Sequence, residues 1–400
     1  MKAVILAAGE GARMRPLTYT RPKVMLPLAN KPIMERTLLE AIRAGITEFI
    51  IIVGYHEEQV RDYFSNGKRW GVSIDYYSQR QQLGTAEALQ MANSQIDEKF
   101  LVINADILTT SQDIAVIMTS EKTTLGVIEV GDVRGLGTVE IDGDRVVRIH
   151  EKADNPPSHM VNAGVYLFTP EIYRAISRTP KSPRGEYEIT DSLQILIDDG
   201  QQVGYQEIGY WLNLSYPWDL LSANEYLLDS MEPQNLGQVE DNVVIKGKVS
   251  IGSGTLLRSG SYIIGPVIIG KGCDIGPNCY IRAHTSIGDN CHIGSAVEVK
   301  NSIIMNGSKI PHQNYVGDSV IGEQCNFGAG TKIANLRLDK KDVIVAGTNT
   351  RRRKLGAIVG DRVETGVNAC INVGSLIGNN THIGLGAVAS GVILPDSRIL

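Results

Sequence analysis

The sequence predicts an α/β domain followed by a parallel β-helix built from hexapeptide repeats. Three observations lead to this fold class. Residues 4–6 form a short apolar strand that runs into a turn of glycines and alanines. Strand-like and helix-like segments then alternate, which is typical of a parallel sheet covered by helices on both faces. From Val239 onward, aliphatic residues recur at every sixth position, the period of hexapeptide β-helix repeats.

Length and composition favour two globular domains. A chain of 400 residues is too long for one ordinary hydrophobic core. The net charge of −5 argues against a general nucleic-acid or membrane-surface binder, which needs a basic footprint. No apolar run approaches the ~20 residues of a membrane span, and we expect no export signal. The five cysteines form no C-x-x-C pair, which indicates reduced thiols in a cytoplasmic protein.

The first half of the chain alternates strands and helices in the order that a doubly covered parallel sheet requires. Residues 31–44 carry apolar side chains at helical spacing and end before Gly45, which suits a helix C-cap. A second strand at 46–53, a second helix at 59–64 and a third strand at 72–77 follow.

The turn after the first strand has the composition of a polyphosphate-binding loop. Gly9 and Gly11 allow positive φ and bring backbone N–H groups close to an anion. Ala8 beside them is small, and the cations of Arg13 and Lys23 follow shortly after. Glycine-rich turns are also common packing devices, and this one matches neither the Walker loop nor G-x-G-x-x-G. The turn alone therefore leaves both interpretations open.

Two polar features follow strands, where ligands of a parallel sheet bind. Gln79, Gly84 and Thr85 stand between the third strand and a helix, where amide and backbone groups could contact a nucleobase. A buried strand at 100–103 is followed closely by Asp106, and Mg²⁺ prefers one or two carboxylates plus phosphate oxygens. Gln79 could equally be a solvated turn residue, and Asp106 could cap the next segment.

These motifs together resemble the sugar-1-phosphate nucleotidylyltransferase family. The strings L-A-A-G-x-G-x-R-M-x-P and R-P-K-x-M-L-P match its signature, with Ala12 where the family usually has Thr. The resemblance implies an N-terminal Rossmann-like nucleotidyltransferase domain over residues 1–231. It also implies that Arg13 and Lys23 are catalytic, because their counterparts stabilise charge on the reacting phosphates.

Further motifs extend the resemblance to the base, the metal and the sugar. Q-x-x-x-L-G-T matches the base-recognition motif, N-x-D the metal aspartate, and G-E-Y-x-x-T-D a segment that lines the sugar pocket. The implied nucleotide-binding positions are Ala8, Gly9, Gly11, Gln79, Gly84 and Thr85, the Mg²⁺ ligands are Asp106 and Asp219, and the sugar-phosphate positions are Gly137, Glu151, Lys152 and Asn162.

The second half carries the hexad repeat. Each triangular coil would take three hexads with the aliphatic side chain inside, so that about seven to nine coils fit. The strict period stops between Val299 and Ile321, and we expect this stretch to be a functional insertion, since insertions often carry solenoid function. The repeated aliphatic residues are Val239, Ile245, Ile251, Leu257, Ile263, Ile269, Ile275, Ile281, Ile287, Ile293 and Val299.

His312 lies in that stretch and is a candidate general base near neutral pH, although a lone surface histidine more often has no role. The motifs H-x-x-Y-x-G-D, N-x-G-A-G-T and A-N resemble the acetyltransferase half of bifunctional enzymes that make nucleotide-activated N-acetylglucosamine. This resemblance implies a C-terminal left-handed parallel β-helix over residues 232–400 that uses acetyl-CoA. His312 would be catalytic, and sugar phosphate would be bound by Arg282, Lys300, Tyr315, Asn326, Asn335 and Lys341.

The resemblances imply two activities: acetyl transfer to glucosamine 1-phosphate or galactosamine 1-phosphate, and nucleotidyl transfer from UTP or dTTP with release of pyrophosphate. One alternative is a monofunctional glucose-1-phosphate thymidylyl/uridylyltransferase whose β-helix serves oligomerisation or regulation. A non-catalytic assembly protein is a third hypothesis, which the intact cations and carboxylates disfavour. Similar β-helices form trimers, so we expect a cytoplasmic homotrimer without nucleic-acid or membrane partners.

Overall fold

The computed structural model describes residues 1–151 and 155–400. Their contacts divide the chain into two compact units. None of the helices in these two ranges has the length and hydropathy that crossing a membrane requires. The first unit comprises Met1–Glu10, Arg21–Met25 and Ile33–Asn213, and the second comprises Gly11–Thr20, Leu26–Pro32 and Leu214–Leu400.

The elements before the repeats begin with a buried strand and alternate as expected. The strands are β1 (Lys2–Ala7), β2 (Pro27–Leu28), β3 (Lys31–Pro32), β4 (Glu48–Val53), β5 (Ser73–Ser78), β6 (Phe100–Asn104), β7 (Ile107–Leu108), β8 (Thr124–Glu129), β9 (Gly137–Asp142), β10 (Arg145–Glu151), β11 (Met160–Phe168), β12 (Gly204–Glu207) and β13 (Leu212–Asn213). The helices are α1 (Ile33–Arg43), α2 (Glu57–Phe64), α3 (Thr85–Gln90), α4 (Ser111–Met118), α5 (Ile172–Ile176), α6 (Ile189–Asp198) and α7 (Asp219–Asp229).

The first unit contains a mixed sheet in the order β5-β4-β1-β6-β11-β8-β12-β10-β9. The strands β5, β4, β1 and β6 are parallel, as the alternation predicts. The sheet is not parallel throughout, because β11 pairs antiparallel with both β6 and β8. Successive residues of β1 pack into two different hydrophobic clusters, Ile5 in one and Val4 in the other, so both faces are covered.

The predicted helix at 31–44 begins two residues later than expected. Lys31 and Pro32 form β3, which pairs with β2 in the second unit, and α1 starts at Ile33. Gly45 has φ +100°, which favours glycine, and closes the helix as predicted.

Three parallel sheets make up most of the second unit, and the chain visits them in turn. Repeat sheet 1 contains β14 (Gln238–Val239), β17 (Leu256–Leu257), β20 (Asp274–Ile275), β23 (His292–Ser295), β26 (Lys309–His312), β29 (Asn326–Phe327), β34 (Glu364–Thr365), β37 (His382–Ile383) and β40 (Arg398–Ile399). Repeat sheet 2 contains β15 (Val244–Lys246), β18 (Tyr262–Ile264), β21 (Tyr280–Ile281), β24 (Glu298–Lys300), β27 (Tyr315–Gly317), β30 (Lys332–Ile333), β35 (Cys370–Ile371) and β38 (Val388–Ala389). Repeat sheet 3 contains β16 (Val249–Ile251), β19 (Val267–Ile269), β22 (Thr285–Ile287), β25 (Ile303–Ile304), β28 (Val320–Ile321), β33 (Ala357–Val359), β36 (Ser375–Ile377) and β39 (Val392–Ile393).

The aliphatic residues that recur in the hexapeptide repeats form one continuous hydrophobic core between these sheets. From Ile251 to Val299 the predicted inward residues are buried, as the period requires. Val239 and Ile245 belong to the first strands of their sheets and are 40% and 39% exposed. These two side chains are therefore not core residues, because no preceding strand covers them on that side.

The predicted insertion between Val299 and Ile321 is wrong. β25, β26 and β27 fill this stretch and pair in register with the strands before them. The period changes because two corners are one residue shorter, and Asn301 and Asp318 turn the chain there with φ of 43° and 51°. The actual interruption is the segment 334–356, which contains the hairpin β31 (Ile344–Val345) and β32 (Thr348–Asn349).

The cysteines are free thiols, four of them buried. Cys273, Cys291 and Cys325 occupy corner positions where serines and threonines occur in other turns, and each S–H group donates to a carbonyl of a neighbouring turn. Burial raises the pKa of the Cys325 thiol to about 12. These thiols are structural residues, as expected from the sequence.

Helix α7 packs against the repeat sheets within the second unit. The fully buried Asn224 accepts hydrogen bonds from the Ala29 backbone N–H at 3.0 Å and from the Ser286 hydroxyl at 2.6 Å. Its amide donates to the His284 carbonyl at 3.0 Å. One asparagine thereby fixes three segments of the second unit to each other.

Candidate active sites

Lys23 and Asp106 form an ion pair in the first unit. Lys23 is only 8% exposed, and its Nζ donates to Oδ2 of Asp106 at 2.7 Å. Asp106 follows β6 at the same edge of the sheet where the neighbouring parallel strand β1 ends. The Asp106 side chain is 40% exposed, so it can still accept another ligand. The two predicted residues are thus brought together at the carboxyl ends of the strands, where ligands bind.

The glycine loop begins in the first unit and continues in the second. Space is open around Gly9, where a Cβ would meet nothing within 4 Å. The carbonyl of Ala8 accepts from the Tyr55 N–H, which holds the end of β1. Gly11 is left-handed with φ 73°, and its carbonyl accepts from the Met14 N–H and the Thr18 hydroxyl. The positive φ expected for this turn is therefore present at Gly11 but not at Gly9.

Arg13 and Asp219 are connected through Tyr216 in the second unit. The Arg13 guanidinium lies 5.7 Å from the centre of the Tyr216 ring, which itself stacks on Trp218. Oδ2 of Asp219 accepts from the N–H groups of Ser215 and Tyr216 at 2.8 and 2.7 Å. These bonds place the carboxylate at the start of α7.

Mg²⁺ prefers one or two carboxylates plus phosphate oxygens, and each unit contains one of the two predicted carboxylates. Asp106 is partly exposed, and two backbone N–H groups orient Asp219. Within residues 1–151 and 155–400, no three His, Cys, Asp or Glu side chains are grouped closely enough to hold a metal ion.

The predicted base-recognition residues lie in a tightly bonded turn. Gln79 is buried, and its amide nitrogen donates to the Gly84 carbonyl at 2.9 Å and to Glu87. Its amide oxygen is the group that can accept from a base N–H. Gly84 has φ +110° and is in contact with the Tyr187 carbonyl, so a side chain cannot fit there. The Thr85 hydroxyl accepts from the Ile189 N–H at 2.9 Å and supports the turn.

Glu151 is the centre of a charged cluster at the predicted sugar positions. Arg184 donates to Glu151 at 3.2 Å and to Glu188 at 2.5 Å. The Thr190 hydroxyl adds a bond to Glu151 at 3.2 Å, and a Cβ at Gly137 would lie 3.0 Å from the same carboxylate. Sequence reasoning missed Arg184, although it directly precedes the G-E-Y-x-x-T-D segment.

Asn162 and Lys152 are the remaining predicted sugar positions in the first half of the chain. The Asn162 amide donates to the Tyr166 hydroxyl at 2.8 Å and accepts from the Gly164 N–H at 3.1 Å. Lys152 lies outside the described residues. Burial, followed by repulsion from Glu188 and Glu151, raises the pKa of Asp191 in this region.

A second cluster forms where β27 of repeat sheet 2 meets the segment 334–356. Asp318 lies 3.2 Å from Nζ of Lys300 and accepts from the Asn335 amide at 2.5 Å. The Asn335 amide also donates to the Tyr315 hydroxyl at 3.1 Å. Asp318, to which no role was assigned from the sequence, thereby joins Lys300 and Asn335, and Tyr315 is connected through Asn335.

The other predicted residues of the second unit are not part of this cluster. Arg282 follows β21 and pairs with Glu298 at 2.9 Å on the same sheet. His312 ends β26 with its side chain exposed, and Asn326 is exposed on the next strand of repeat sheet 1. In the described part of the chain, the hydrogen bonds of the cluster do not reach the side chains of His312, Asn326 or Lys341.

Two family models match the chain. The model described as "Nucleotidyl transferase" matches residues 2–230, more than half of the chain. A second, described as "GMPPB C-terminal domain", matches residues 263–373.

Similar proteins and structures extend these matches. The bifunctional protein GlmU of Methanocaldococcus jannaschii is 42% identical over 388 residues, which are 96% of this chain and 93% of that protein. The bifunctional sugar-1-phosphate nucleotidylyltransferase/acetyltransferase of Sulfurisphaera tokodaii is 40% identical over 398 residues, 98% of this chain and 97% of its own length. A solved Bacillus anthracis structure, described as a glucose-1-phosphate thymidylyltransferase, covers 59% of this chain and 98% of its own at 26% identity and a TM-score of 0.53.

Proposed function

This chain belongs to the nucleotidyl transferase family and, within it, to the bifunctional nucleotidyltransferase/acetyltransferases, and from this premise we propose its two reactions. It acetylates glucosamine 1-phosphate or galactosamine 1-phosphate with acetyl-CoA, and it transfers a nucleotidyl group from UTP or dTTP to the product. The observation that carries this proposal is the alignment of a bifunctional relative over 98% of the chain, because both halves then have a counterpart. Residues 1–231 carry the nucleotidyl transfer and residues 232–400 the acetyl transfer.

In nucleotidyl transfer, a phosphate oxygen of the sugar 1-phosphate attacks the α-phosphorus of the nucleotide, and pyrophosphate leaves in line. Positioning and charge neutralisation carry such a step. Lys23 keeps one N–H on Asp106 and can turn its other N–H groups towards phosphate oxygens. Arg13 balances further charge on the reacting phosphates. Asp106 and Asp219 would each be a ligand of Mg²⁺, which would supply additional neutralisation of the phosphate charge when bound.

Base and sugar are selected around the turn of Gln79 and around Glu151. The Gln79 amide oxygen accepts the N–H of a pyrimidine, because its amide nitrogen is held by the Gly84 carbonyl and the oxygen must face the other way. Glu151 accepts sugar hydroxyls while Arg184 holds its carboxylate in place. The choice between uracil and thymine depends on one methyl group, which a pocket distinguishes weakly.

In acetyl transfer, the amine of the sugar phosphate attacks the thioester carbonyl of acetyl-CoA. The new C–N bond forms as the C–S bond breaks, the amine loses a proton to His312, and the coenzyme A sulfur leaves and is protonated. Lys300 and Arg282 anchor the phosphate, and Tyr315 and Asn335 contact the sugar. Asn326 and Lys341 complete the site beside this cluster.

The three repeat sheets form a left-handed parallel β-helix, and the chain assembles as a cytoplasmic homotrimer. The period and the parallel register of the sheets support the β-helix. Large apolar side chains remain exposed in the last turns, among them Leu385, Val388 and Leu394. Such side chains are typical of contacts between subunits.

The two activities are tested on the full-length protein with separate assays. Acetyl transfer is followed by thiol release from acetyl-CoA with glucosamine 1-phosphate and galactosamine 1-phosphate. Nucleotidyl transfer is followed by pyrophosphate release with UTP or dTTP and N-acetylglucosamine 1-phosphate. We expect His312→Ala to lower acetyl transfer about 10²–10⁴-fold and to spare nucleotidyl transfer. No thiol release by the unmodified protein would leave the monofunctional alternative, and joint loss of both activities would make His312 structural.

A further inference from the structure

Asp318 lies at the centre of the cluster in the repeat sheets and is nearly buried. Its side chain is 5% exposed at the end of β27. Its Oδ1 accepts from Nδ2 of Asn301 at 2.9 Å. Its Oδ2 accepts from Nδ2 of Asn335 at 2.5 Å and lies 3.2 Å from Nζ of Lys300. One carboxylate therefore joins two amides and an ammonium group.

These contacts determine how the Asn335 amide is oriented. A carboxylate only accepts hydrogen bonds, so the nitrogen of the amide must face Asp318. The same nitrogen donates to the Tyr315 hydroxyl at 3.1 Å, which occupies both of its hydrogens. The oxygen of the Asn335 amide consequently faces away from Asp318 and can accept an N–H from another molecule. Tyr315 accepts from Asn335 and keeps its own hydroxyl hydrogen for a further partner.

The surrounding backbone allows this orientation and holds it. A Cβ at Gly317 would lie 2.7 Å from Nδ2 of Asn335 and 2.7 Å from the Tyr315 hydroxyl, so any side chain there would displace them. The Asp318 N–H donates to the Lys300 carbonyl at 3.0 Å, and its carbonyl accepts from the Gly356 N–H at 2.8 Å. The chain at Asp318 is therefore held independently of the carboxylate.

We propose that Asp318 is a positioning residue for acetyl transfer, whose carboxylate turns the Asn335 amide oxygen towards the attacking amine of the sugar phosphate. The inference rests on the proposed acetyltransferase function and deepens it. Positive charge develops on the amine nitrogen as it attacks the thioester, and an oriented acceptor stabilises that charge in the transition state. The same carboxylate also contacts the Lys300 ammonium, which binds the phosphate of the substrate and therefore affects the KM for the sugar phosphate rather than kcat.

Asp318→Asn tests this role with little risk to folding. Asparagine has the size of aspartate and tolerates positive φ, which this position requires. The substitution removes the negative charge and leaves one acceptor oxygen instead of two, so either Asn301 or both Asn335 and Lys300 lose their partner. We expect kcat of acetyl transfer to fall about 100-fold, as for loss of one transition-state hydrogen bond. The KM for acetyl-CoA and the rate of nucleotidyl transfer should stay close to their original values.

A double-mutant cycle separates positioning from mere structural support. If Asp318 acts through Asn335, adding Asp318→Asn to Asn335→Ala lowers kcat no further. Gly317→Ala displaces the same amide by a different route and should reproduce the loss in kcat. Asp289→Asn is the matched control, since its carboxylate accepts from the Lys271 backbone N–H in another corner of the repeats.

Three outcomes would overturn the inference. The first is an Asp318→Asn enzyme with unchanged kcat, and the second is multiplicative losses in the cycle with Asn335→Ala. The third is a lowered melting temperature with joint loss of both activities, which would show structural support only. If the unmodified protein acetylates neither amino-sugar phosphate, the proposed function itself fails, and the inference fails with it.

Discussion

Lys23→Met removes one ammonium group from the nucleotidyltransferase half and keeps the length of the aliphatic stem. Nζ of Lys23 lies 2.7 Å from Oδ2 of Asp106. Loss of one charged group that acts on the transition state costs about 10²–10³ in kcat, or about 3–4 kcal/mol. The cost in unfolding free energy is smaller, about 1 kcal/mol, because the 40% exposed Asp106 can be hydrated after the substitution. Catalysis should therefore suffer far more than folding.

The assay compares kcat for pyrophosphate release with the nucleotide dissociation constant measured by calorimetry. We expect kcat of Lys23→Met to fall at least 100-fold, while the dissociation constant rises less than about tenfold. Lys99→Ala is the matched control, because Lys99 forms an ion pair with Glu121 at 3.1 Å on the surface of the same unit. Its activity should remain within about twofold of the unmodified protein.

Equal losses in kcat/KM and in nucleotide affinity, with unchanged kcat, would refute the catalytic role of Lys23. That pattern would show uniform binding of ground and transition states. A large drop in melting temperature for Lys23→Met alone would instead assign the Lys23–Asp106 pair to folding.

Three further substitutions or treatments have defined outcomes. Asn224→Ala should lower the free energy of unfolding by about 3 kcal/mol in denaturant titration, because three buried hydrogen-bonding groups lose their partner. Asp191→Asn should raise the melting temperature near neutral pH, since the raised pKa of Asp191 means that ionisation disfavours the folded state. This gain should shrink as the pH falls towards the ordinary carboxyl pKa of about 4, because the carboxyl is then increasingly protonated in the folded protein. A thiol reagent should react rapidly with the exposed Cys370 alone and with all five cysteines only after unfolding.

Local patterns predicted the strands and helices of the first half because burial on both faces makes β1, β4 and β6 continuously apolar. The antiparallel strand β11 was not predicted. Its place between β6 and β8 depends on pairings with segments far away in the chain. No local periodicity reports such pairings, so alternation alone extended the parallel sheet too far.

Motif matching named individual residues, but it did not name the residues that hydrogen-bond to them. Lys23 and Asp106 were both predicted, and they lie against each other. Arg184, which holds Glu151, was overlooked because its effect depends on a contact across the fold. The same explanation applies to Asp318, whose three partners become neighbours only through the stacking of successive turns.

The irregular period around Lys300 illustrates how a correct observation led to a wrong structure. A missing residue at each of two corners was interpreted as an inserted loop, whereas the strands continue in register. Each shortened corner begins with a residue of positive φ, Asn301 in one turn and Asp318 in the next. Because both corners are shortened equally, the two residues lie one above the other, and Nδ2 of Asn301 donates to Oδ1 of Asp318 at 2.9 Å. Nζ of Lys300 lies 3.2 Å from Oδ2 of the same carboxylate. The shortened corners therefore bring Asn301, Asp318 and Lys300 together while the core is preserved, and Asn335 joins them from the segment 334–356.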